Sequence, residues 1–242
     1  MEKQDMIRYS VIPEKNPREI VLLRGSGCRW RRCRFCDYHL DFSTDEEANF
    51  QLNKLQLDKV TGKFGRLEVI NSGSFTDLDS RTIDAVRKTC LRCGIDHVHF
   101  ECHWQDREAI DELRRRFAAL GITVKLKIGV ETFDALFRES YLVKGMGDAQ
   151  APEIARFFDE CCLLFGLPGQ NRSSMEEDIR TGLEFFERVC VNIMEENSAP
   201  IKPDPAVIAV FAEEILPRYE QNPRVDILMN NTDFGVGGVR LD

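Results

Sequence analysis

The sequence predicts an α/β fold in which parallel strands and helices alternate in a partial (β/α)6 barrel of the TIM type. Six short apolar runs alternate with amphipathic helical patterns along the 242 residues. Parallel strands are typically apolar on both faces, and their crossover connections are right-handed. Nearly every predicted strand is followed by polar or glycine residues, and β/α barrels assemble their active sites at that end. These observations favour a barrel over an open doubly wound sheet.

The predicted strands are rich in apolar and branched side chains and cover residues 19–24, 66–71, 97–101, 123–130, 161–165 and 188–194. The predicted helices cover residues 46–60, 79–93, 105–120, 133–141, 152–158, 173–187 and 205–219. The third helix shows the clearest amphipathic period, with Ile110, Leu113 and Phe117 on one face. Ser173 and Glu176 form the pattern of a capping box at the start of the sixth helix.

We expect one domain of 242 residues, with a barrel core over residues 18–222 and a tail over residues 223–242. A further apolar run, residues 225–229, opens the tail, and a glycine-rich stretch follows it. That stretch is expected either to remain a flexible end or to close over the mouth of the barrel.

The composition is that of an ordinary globular protein, with 43% hydrophobic and 31% charged residues. A net charge of −8 disfavours nucleic acid as a partner, because phosphate binding needs a basic face. No apolar run approaches the roughly 20 residues that span a bilayer, and residues 1–5 lack the pattern of a signal peptide. We therefore expect a cytoplasmic protein with no membrane partner. In a reducing compartment, a cluster among nine cysteines indicates metal binding or catalysis rather than disulfides.

Three cysteines, Cys28, Cys33 and Cys36, lie on one short loop directly after the first predicted strand. Their thiolates can hold three positions of a centre built from a soft metal, either zinc or an iron–sulfur cluster. A closed zinc site would take His39 as its fourth ligand. A 4Fe–4S cluster would keep an open position, since clusters that only carry electrons usually have four cysteines. The loop alone leaves both alternatives open.

The cysteine loop resembles that of the radical SAM superfamily, in which three cysteines follow the first barrel strand and an aromatic residue precedes the third cysteine. Phe35 and Cys36 match this pattern. The usual spacing is three residues and then two, whereas four residues separate Cys28 from Cys33 here. The departure affects the path of the loop and leaves the number of ligands unchanged.

Further motifs of the superfamily follow in the expected order. Ser72, Gly73 and Ser74 end the second predicted strand, where the family contacts the methionine amino group of S-adenosylmethionine (SAM). The segment 128–132, Ile-Gly-Val-Glu-Thr, resembles the fourth-strand segment whose polar residue, here Glu131, contacts the ribose or amino group of the cofactor.

The segment 163–170, Leu-Leu-Phe-Gly-Leu-Pro-Gly-Gln, resembles the turn after the fifth strand that packs near adenine, and Gly166 lies in it. Phe35 and Glu101 complete the expected contacts to the cofactor. The resemblance implies a 4Fe–4S cluster on the three cysteines and SAM on its open iron. Reductive cleavage of SAM would then give a 5′-deoxyadenosyl radical that abstracts hydrogen from the substrate.

Two branches of the superfamily suggest a 7-deazaguanine substrate. Residues 70–75 and Phe100-Glu101 resemble the branch that includes archaeosine synthase partners, which act on transfer RNA. The compact size, acidic charge and altered cysteine spacing fit better with the queuine lyases. Those enzymes of queuine salvage cleave a C–N bond of the free base to release 7-aminomethyl-7-deazaguanine (preQ1). A transfer RNA substrate and a zinc-stabilised protein without enzymatic activity remain the alternatives.

Carboxylates recognise the N–H donors of a guanine-like edge by charge-assisted hydrogen bonds. The candidates for this edge, or for the diol of queuine, are Asp37, His39, Glu101, His103, Glu195, Glu196 and Asp233. We also expect His103 to act catalytically, by protonating the nitrogen that leaves.

Five arginines surround the cysteine loop: Arg24, Arg29, Arg31, Arg32 and Arg34. They either pair with nearby acids and solvent or form a positive patch that docks an acidic electron donor, such as a flavodoxin or ferredoxin.

Overall fold

The computed structural model describes residues 6–238. The strands of this part of the chain are β1 Tyr9–Ile12, β2 Arg18–Leu23, β3 Arg66–Asn71, β4 His97–Glu101, β5 Thr123–Glu131, β6 Glu160–Phe165, β7 Arg188–Ile193 and β8 Val225–Leu228. The α-helices are α1 Glu46–Leu57, α2 Ser80–Cys93, α3 Ile110–Ala118, α4 Ala151–Ile154, α5 Arg172–Phe185, α6 Pro205–Val210 and α7 Leu216–Tyr219. Short 3-10 turns cover Tyr38–Leu40, Phe75–Asp77 and Trp104–Ala109, and π-helical turns cover Phe137–Tyr141 and Phe211–Ile215. Within residues 6–238, no helix is both long and apolar enough to span a lipid bilayer.

The chain divides into two compact units, and the boundary between them falls inside β5. Among the described residues, the first unit contains 6–29, 38–126 and 232–238. In it β1 pairs with β2 in antiparallel fashion, and β2, β3 and β4 pair in parallel, in that order. Every residue of β2 is buried, as expected for a strand covered on both faces.

The second unit contains residues 30–37 and 127–231. In it the end of β5 pairs with β6, and β6, β7 and β8 follow in parallel order. The register between β5 and β6 shifts between Gly129 and Glu131, and Glu131 has a φ of +68°. This irregularity turns the end of β5 out of the regular ladder.

The six predicted strands are confirmed to within two residues at each end, and β8 lies inside the apolar run that opens the tail. The sequence analysis missed β1, because its four half-buried residues form a strand too short to show a periodic pattern. The predicted helix over 105–120 begins as a 3-10 turn and becomes α-helical only at Ile110. The predicted helix over 152–158 is reduced to the single turn of α4.

The capping box predicted at Ser173 is wrong by two residues. Helix α5 begins at Arg172, and the Asn171 side chain caps it by accepting the backbone N–H of Ser174 at 3.1 Å. The Ser174 hydroxyl in turn accepts the Asn171 backbone N–H at 3.0 Å. Asparagine is among the strongest N-cap residues, and its extended φ of −145° places the cap ahead of the serine pair.

Residues 232–238, the described end of the tail, belong to the first unit and pack within it. The backbone of Ile7 bonds both to Gly237 and to Gly238, each at 2.8 Å. Val236 is buried against Ile20 and Leu22 of β2. This segment is therefore docked along its own unit, whereas its closure over a substrate and the single-domain organisation stay predictions.

Candidate functional site

The site begins with the contact between the first cysteine and the Ser72-Gly73-Ser74 turn, both in the first unit. A Cβ added to Gly73 would lie 2.9 Å from the Cys28 Cα and 2.2 Å from an oxygen of Asp77. Real Cβ atoms do not approach so closely, so only glycine fits between this loop and the turn after β3. The sequence motif and the cysteine loop are therefore adjacent through Cys28.

Ser74 is buried and its hydroxyl is engaged inside the protein. It donates to Asp106 at 2.6 Å and accepts the backbone N–H of His103 at 2.8 Å. The Ser74 backbone N–H donates to Asp77 at 2.8 Å. These bonds fix the turn between β3 and β4. Ser72, which is half-buried, forms no such bond within the described residues, so its hydroxyl is available to a cofactor.

Arg29, which follows Cys28, ties the cysteine loop to the same turn. Its guanidinium donates to Asp106 and, at 2.9 Å, to the Thr76 hydroxyl, and it lies 3.6 Å from Asp77. The sequence analysis missed Asp77 and Asp106. The spacing of Ser74 and Asp77 is that of a capping box, a signal that could have identified Asp77.

The other predicted residues of the first unit lie on several elements. Glu101 ends β4, His39 lies in the 3-10 turn Tyr38–Leu40, and both are half-buried. The His103 ring accepts the backbone N–H of Gln105 at its Nδ1 atom, at 3.3 Å. In the neutral ring the proton is therefore on Nε2. Asp233 is exposed in the docked tail.

In the second unit, the cysteine loop is anchored to the turn that follows the π-helical segment Phe137–Tyr141. The Trp30 indole donates to the carbonyl of Val143 at 2.8 Å, and the Arg34 backbone N–H donates to the carbonyl of Leu142 at 3.0 Å. A Cβ added to Gly145 would lie 2.5 Å from the Trp30 ring. The loop that carries Cys33 and Cys36 is therefore fixed on a turn that sequence reasoning did not connect with it.

The segment after β7 holds the loop from another side. The Asn197 side chain donates to the carbonyl of Phe35 at 2.9 Å. The Ser198 backbone N–H and hydroxyl both donate to Oδ2 of Asp37, at 3.0 and 2.9 Å. One oxygen of this predicted substrate residue is thus engaged by its own unit.

Glu131 and Lys144 form a buried ion pair in the second unit, with 2.6 Å between Oε1 and Nζ. The Lys144 ammonium also lies 5.6 Å from the centre of the Phe35 ring. Burial acts to lower the pKa of Lys144, but the negative charges of Glu131, Cys33 and Cys36 outweigh burial and raise it. Lys144 is therefore a fixed cation beside two of the three cysteines.

The turn after β6, predicted to pack near adenine, has a closely fitted backbone. Gly166 has a φ of +87°, and a Cβ there would lie 2.7 Å from the Ile208 side chain. The Gln170 side chain accepts the Leu167 backbone N–H at 3.0 Å and donates to the Leu164 carbonyl at 2.9 Å. The turn is thus rigid before any ligand binds.

The two glutamates after β7 differ in their surroundings. Glu195 is half-buried and accepts the backbone N–H of Asn231 at 2.9 Å. Glu196 is exposed and pairs with Lys202 at 2.9 Å. Glu195 is therefore the more rigidly placed of the two predicted substrate ligands.

The donor set fits an iron–sulfur cluster better than zinc. All three loop cysteines are half-buried thiols with no disulfide partner. Over residues 6–238, no three side chains of His, Cys, Asp or Glu converge closely enough to hold one metal ion. A closed zinc site requires four donors on a single ion, whereas a cluster binds each thiolate to a different iron. Cys28, Cys33 and Cys36 are the ligands that such a cluster would use.

Comparison with known structures supports this interpretation over the whole chain. The solved structure of a queuine lyase from Clostridium spiroforme bound to SAM and queuine is 39% identical, with a TM-score of 0.92. The match covers 97% of this chain and 100% of that chain. It confirms the predicted α/β fold, a partial barrel with parallel strands.

Two other solved structures resemble the chain only weakly. The Bacillus cereus spore cortex-lytic enzyme SleL is 12% identical with a TM-score of 0.35, over 90% of this chain and 59% of that one. A putative sporulation-specific glycosylase, ydhD from Bacillus subtilis, is 10% identical with a TM-score of 0.34, over 89% and 81%. No protein-family model and no curated protein matches the chain.

Proposed function

The chain belongs to the queuine lyase family of radical SAM enzymes, and from this membership we propose that it cleaves a C–N bond of queuine. The products are 7-aminomethyl-7-deazaguanine and the cyclopentenyl group that is cleaved from its nitrogen. The observation that carries the proposal is the whole-chain match, at 39% identity, to an enzyme bound to SAM and queuine.

The cofactor chemistry depends on a cluster held by Cys28, Cys33 and Cys36. A bound cluster would supply the electron that cleaves SAM, and the 5′-deoxyadenosyl radical so formed would abstract hydrogen from queuine. The protein's own task is to hold the loop rigidly. It does so through Arg29 in the first unit and through Trp30 and Asn197 in the second.

The residues expected from the sequence to contact SAM are proposed to bind it, and each is described within its own unit. The backbone at Gly73 lies beside Cys28, and the hydroxyl of the neighbouring Ser72 is proposed to bind the methionine amino group. Ser74 holds this turn in place through Asp106 rather than reaching the cofactor itself. In the second unit, Glu131 and Gly166 line the ends of β5 and β6, and Phe35 precedes the third ligand.

The predicted carboxylates are proposed to recognise the base and its diol. Asp37 has one oxygen bonded to Ser198 and offers the other, Oδ1, to an N–H donor of queuine. Glu195 is held by Asn231 and serves the same purpose. The remaining proposed substrate contacts are His39, Glu101, Glu196 and Asp233. His103 is proposed to act on the leaving nitrogen by donating a hydrogen bond from Nε2, the nitrogen that carries the proton of the neutral ring.

Three arginines of the loop form the proposed docking surface for an acidic flavodoxin or ferredoxin. Arg31, Arg32 and Arg34 are exposed, and Arg32 lies 5.1 Å from the centre of the Trp30 ring. Arg24 and Arg29 do not belong to this surface. Arg24 donates to Asn49 at 2.7 Å, and Arg29 is engaged by the acids described above.

The proposal is tested with protein purified without oxygen. A brown protein with iron and sulfide supports it, whereas a colourless protein carrying zinc contradicts it. Incubation with SAM, dithionite and queuine should yield 5′-deoxyadenosine and 7-aminomethyl-7-deazaguanine, and Cys33→Ala should abolish both. A parallel incubation uses transfer RNA that contains queuosine. Turnover of the RNA and not of the free base would overturn the proposed substrate.

A further inference from the structure

Glu131, already proposed as a SAM contact, forms a buried pair with Lys144, which has no part in the chemistry described so far. Lys144 is 9% exposed and Glu131 is 7% exposed. Burying two charges costs more free energy than a surface pair returns, so such pairs are weak evidence for stability. Its position beside the cysteine loop points to another purpose.

The backbone is strained at both ends of the pair. Glu131 has a φ of +68° and Val143, directly before Lys144, has a φ of +57°. Both fall in the left-handed region, where a branched residue such as valine is an outlier. A Cβ at Gly129 would lie 2.6 Å from Oε1 of Glu131 and 3.0 Å from Nζ of Lys144. The pair therefore forms with strained backbone at Glu131 and Val143, and it requires a glycine at position 129.

The ammonium faces the cysteine loop. It lies 5.6 Å from the ring centre of Phe35, the residue between Arg34 and the third cysteine. Cys33 and Cys36 pack against the same apolar cluster as Phe35 and Leu142, and Leu142 is two residues before Lys144. The carboxylate of Glu131, the last residue of β5, accepts a hydrogen bond from this ammonium at 2.6 Å. Lys144 thus presents a positive charge to two thiolates, and Glu131 partly offsets it.

We propose that Lys144 is a positioning residue that raises the reduction potential of the cluster, and that the negative charge of Glu131 offsets part of this effect. The inference rests on the proposed function, since it requires the cluster. Reduction transfers one electron from an external reductant, dithionite or a flavodoxin-class protein, to the cluster and adds one negative charge. A nearby fixed cation favours the more negative state and raises the potential.

The experiment is a redox titration followed by electron paramagnetic resonance, on reconstituted enzyme without SAM. Lys144→Met should shift the midpoint to more negative values by at least about 59 mV, a tenfold change in the ratio of reduced to oxidised cluster. Glu131→Gln should shift it in the opposite direction. The double variant, which removes both charges, should return towards the native midpoint, and Lys144→Arg should stay near it.

Midpoint shifts of opposite sign in Lys144→Met and Glu131→Gln would indicate an electrostatic role. A purely structural role would loosen the loop, so both variants would lose iron and sulfide and their midpoints would not shift in opposite directions. If Lys144→Met does not retain its cluster, the positive shift of Glu131→Gln still decides. Equal midpoints in all variants, or shifts of the same sign, overturn the proposal. Failure of the native enzyme to turn over queuine would refute the proposed function and leave these midpoints interpretable.

Discussion

Gly73 and Cys28 are packed so closely that a Cβ on Gly73 would lie 2.9 Å from the Cys28 Cα and 3.1 Å from its backbone nitrogen. This contact joins the turn after β3 to the first cysteine ligand. Any side chain at position 73 must displace either the ligand or Asp77, whose oxygen would lie 2.2 Å away.

We expect Gly73→Ala to lose most of its bound iron and sulfide, because the new Cβ pushes Cys28 away from the cluster. The cost of such overpacking is typically about 1–3 kcal/mol. The measurement is iron and sulfide per chain after reconstitution, together with the melting temperature. Gly121→Ala is the control, since it is strained at a φ of +74° but has no atom within 4 Å of the added Cβ. Equal losses in both variants would contradict the account.

Substitutions of Asp37 and Ser198 test whether the Asp37 carboxylate binds queuine or only holds the loop. Ser198→Ala removes one hydrogen bond to Asp37 and should raise KM for queuine by about fivefold, the equivalent of about 1 kcal/mol. Asp37→Asn also removes the charge that recognises the base and should raise KM by at least about tenfold more. Steady-state kinetics with free queuine make the comparison. Equal effects would show that Asp37 only holds the loop.

Asp178 gives the stability a defined pH dependence. It accepts the Phe133 backbone N–H at 2.7 Å, and its burial raises its pKa from 3.8 to about 6. Because the folded pKa is raised, its stabilising contribution is full below pH 3.8 and is lost as the pH rises through about 6.

The native protein should therefore lose stability on the order of 2 kcal/mol as the pH rises between those two values, and Asp178→Asn should not show this loss. Urea denaturation of the native protein and the variant across this range measures it. Asp148→Asn, at an exposed position, is the control and should follow the native curve. A variant whose stability still falls like that of the native protein would exclude Asp178 as the cause.

If the exposed arginines dock an acidic electron donor, the rate at which that donor reduces the enzyme should depend on their charge. Replacing Arg31, Arg32 and Arg34 by glutamate should slow reduction by an acidic flavodoxin at least about tenfold at low salt, because electrostatic steering is lost. Reduction by dithionite should not change. Arg115→Glu, an exposed substitution on α3, is the matched control. A flavodoxin rate that is insensitive to the triple variant would exclude this surface as the docking site.

The sequence was sufficient for the strands and the three cysteines, because apolar runs and ligand spacing are local patterns. It did not indicate Lys144, whose pairing with Glu131, 13 residues away, depends on left-handed backbone at Val143. No periodic pattern encodes such a turn. Asp106 was missed for a similar reason, since its contacts with Ser74 and Arg29 span 32 and 77 residues.

The docked tail was also only partly predicted. Its glycines suggested a flexible end or a lid, but Phe234 lies 4.8 Å from the Arg18 guanidinium, which pairs with the buried Glu68. A lone aromatic residue among glycines gives no indication of which partner it will find.

The central claim is that the three-cysteine loop supports radical cleavage of free queuine. Its most direct test is mass spectrometry of an anaerobic reaction of the native enzyme with SAM, dithionite and queuine, with Cys33→Ala in parallel. We expect 5′-deoxyadenosine and 7-aminomethyl-7-deazaguanine both to form with the native enzyme and neither to form with the variant. Release of the base by both proteins, or by the native enzyme without 5′-deoxyadenosine, would contradict it.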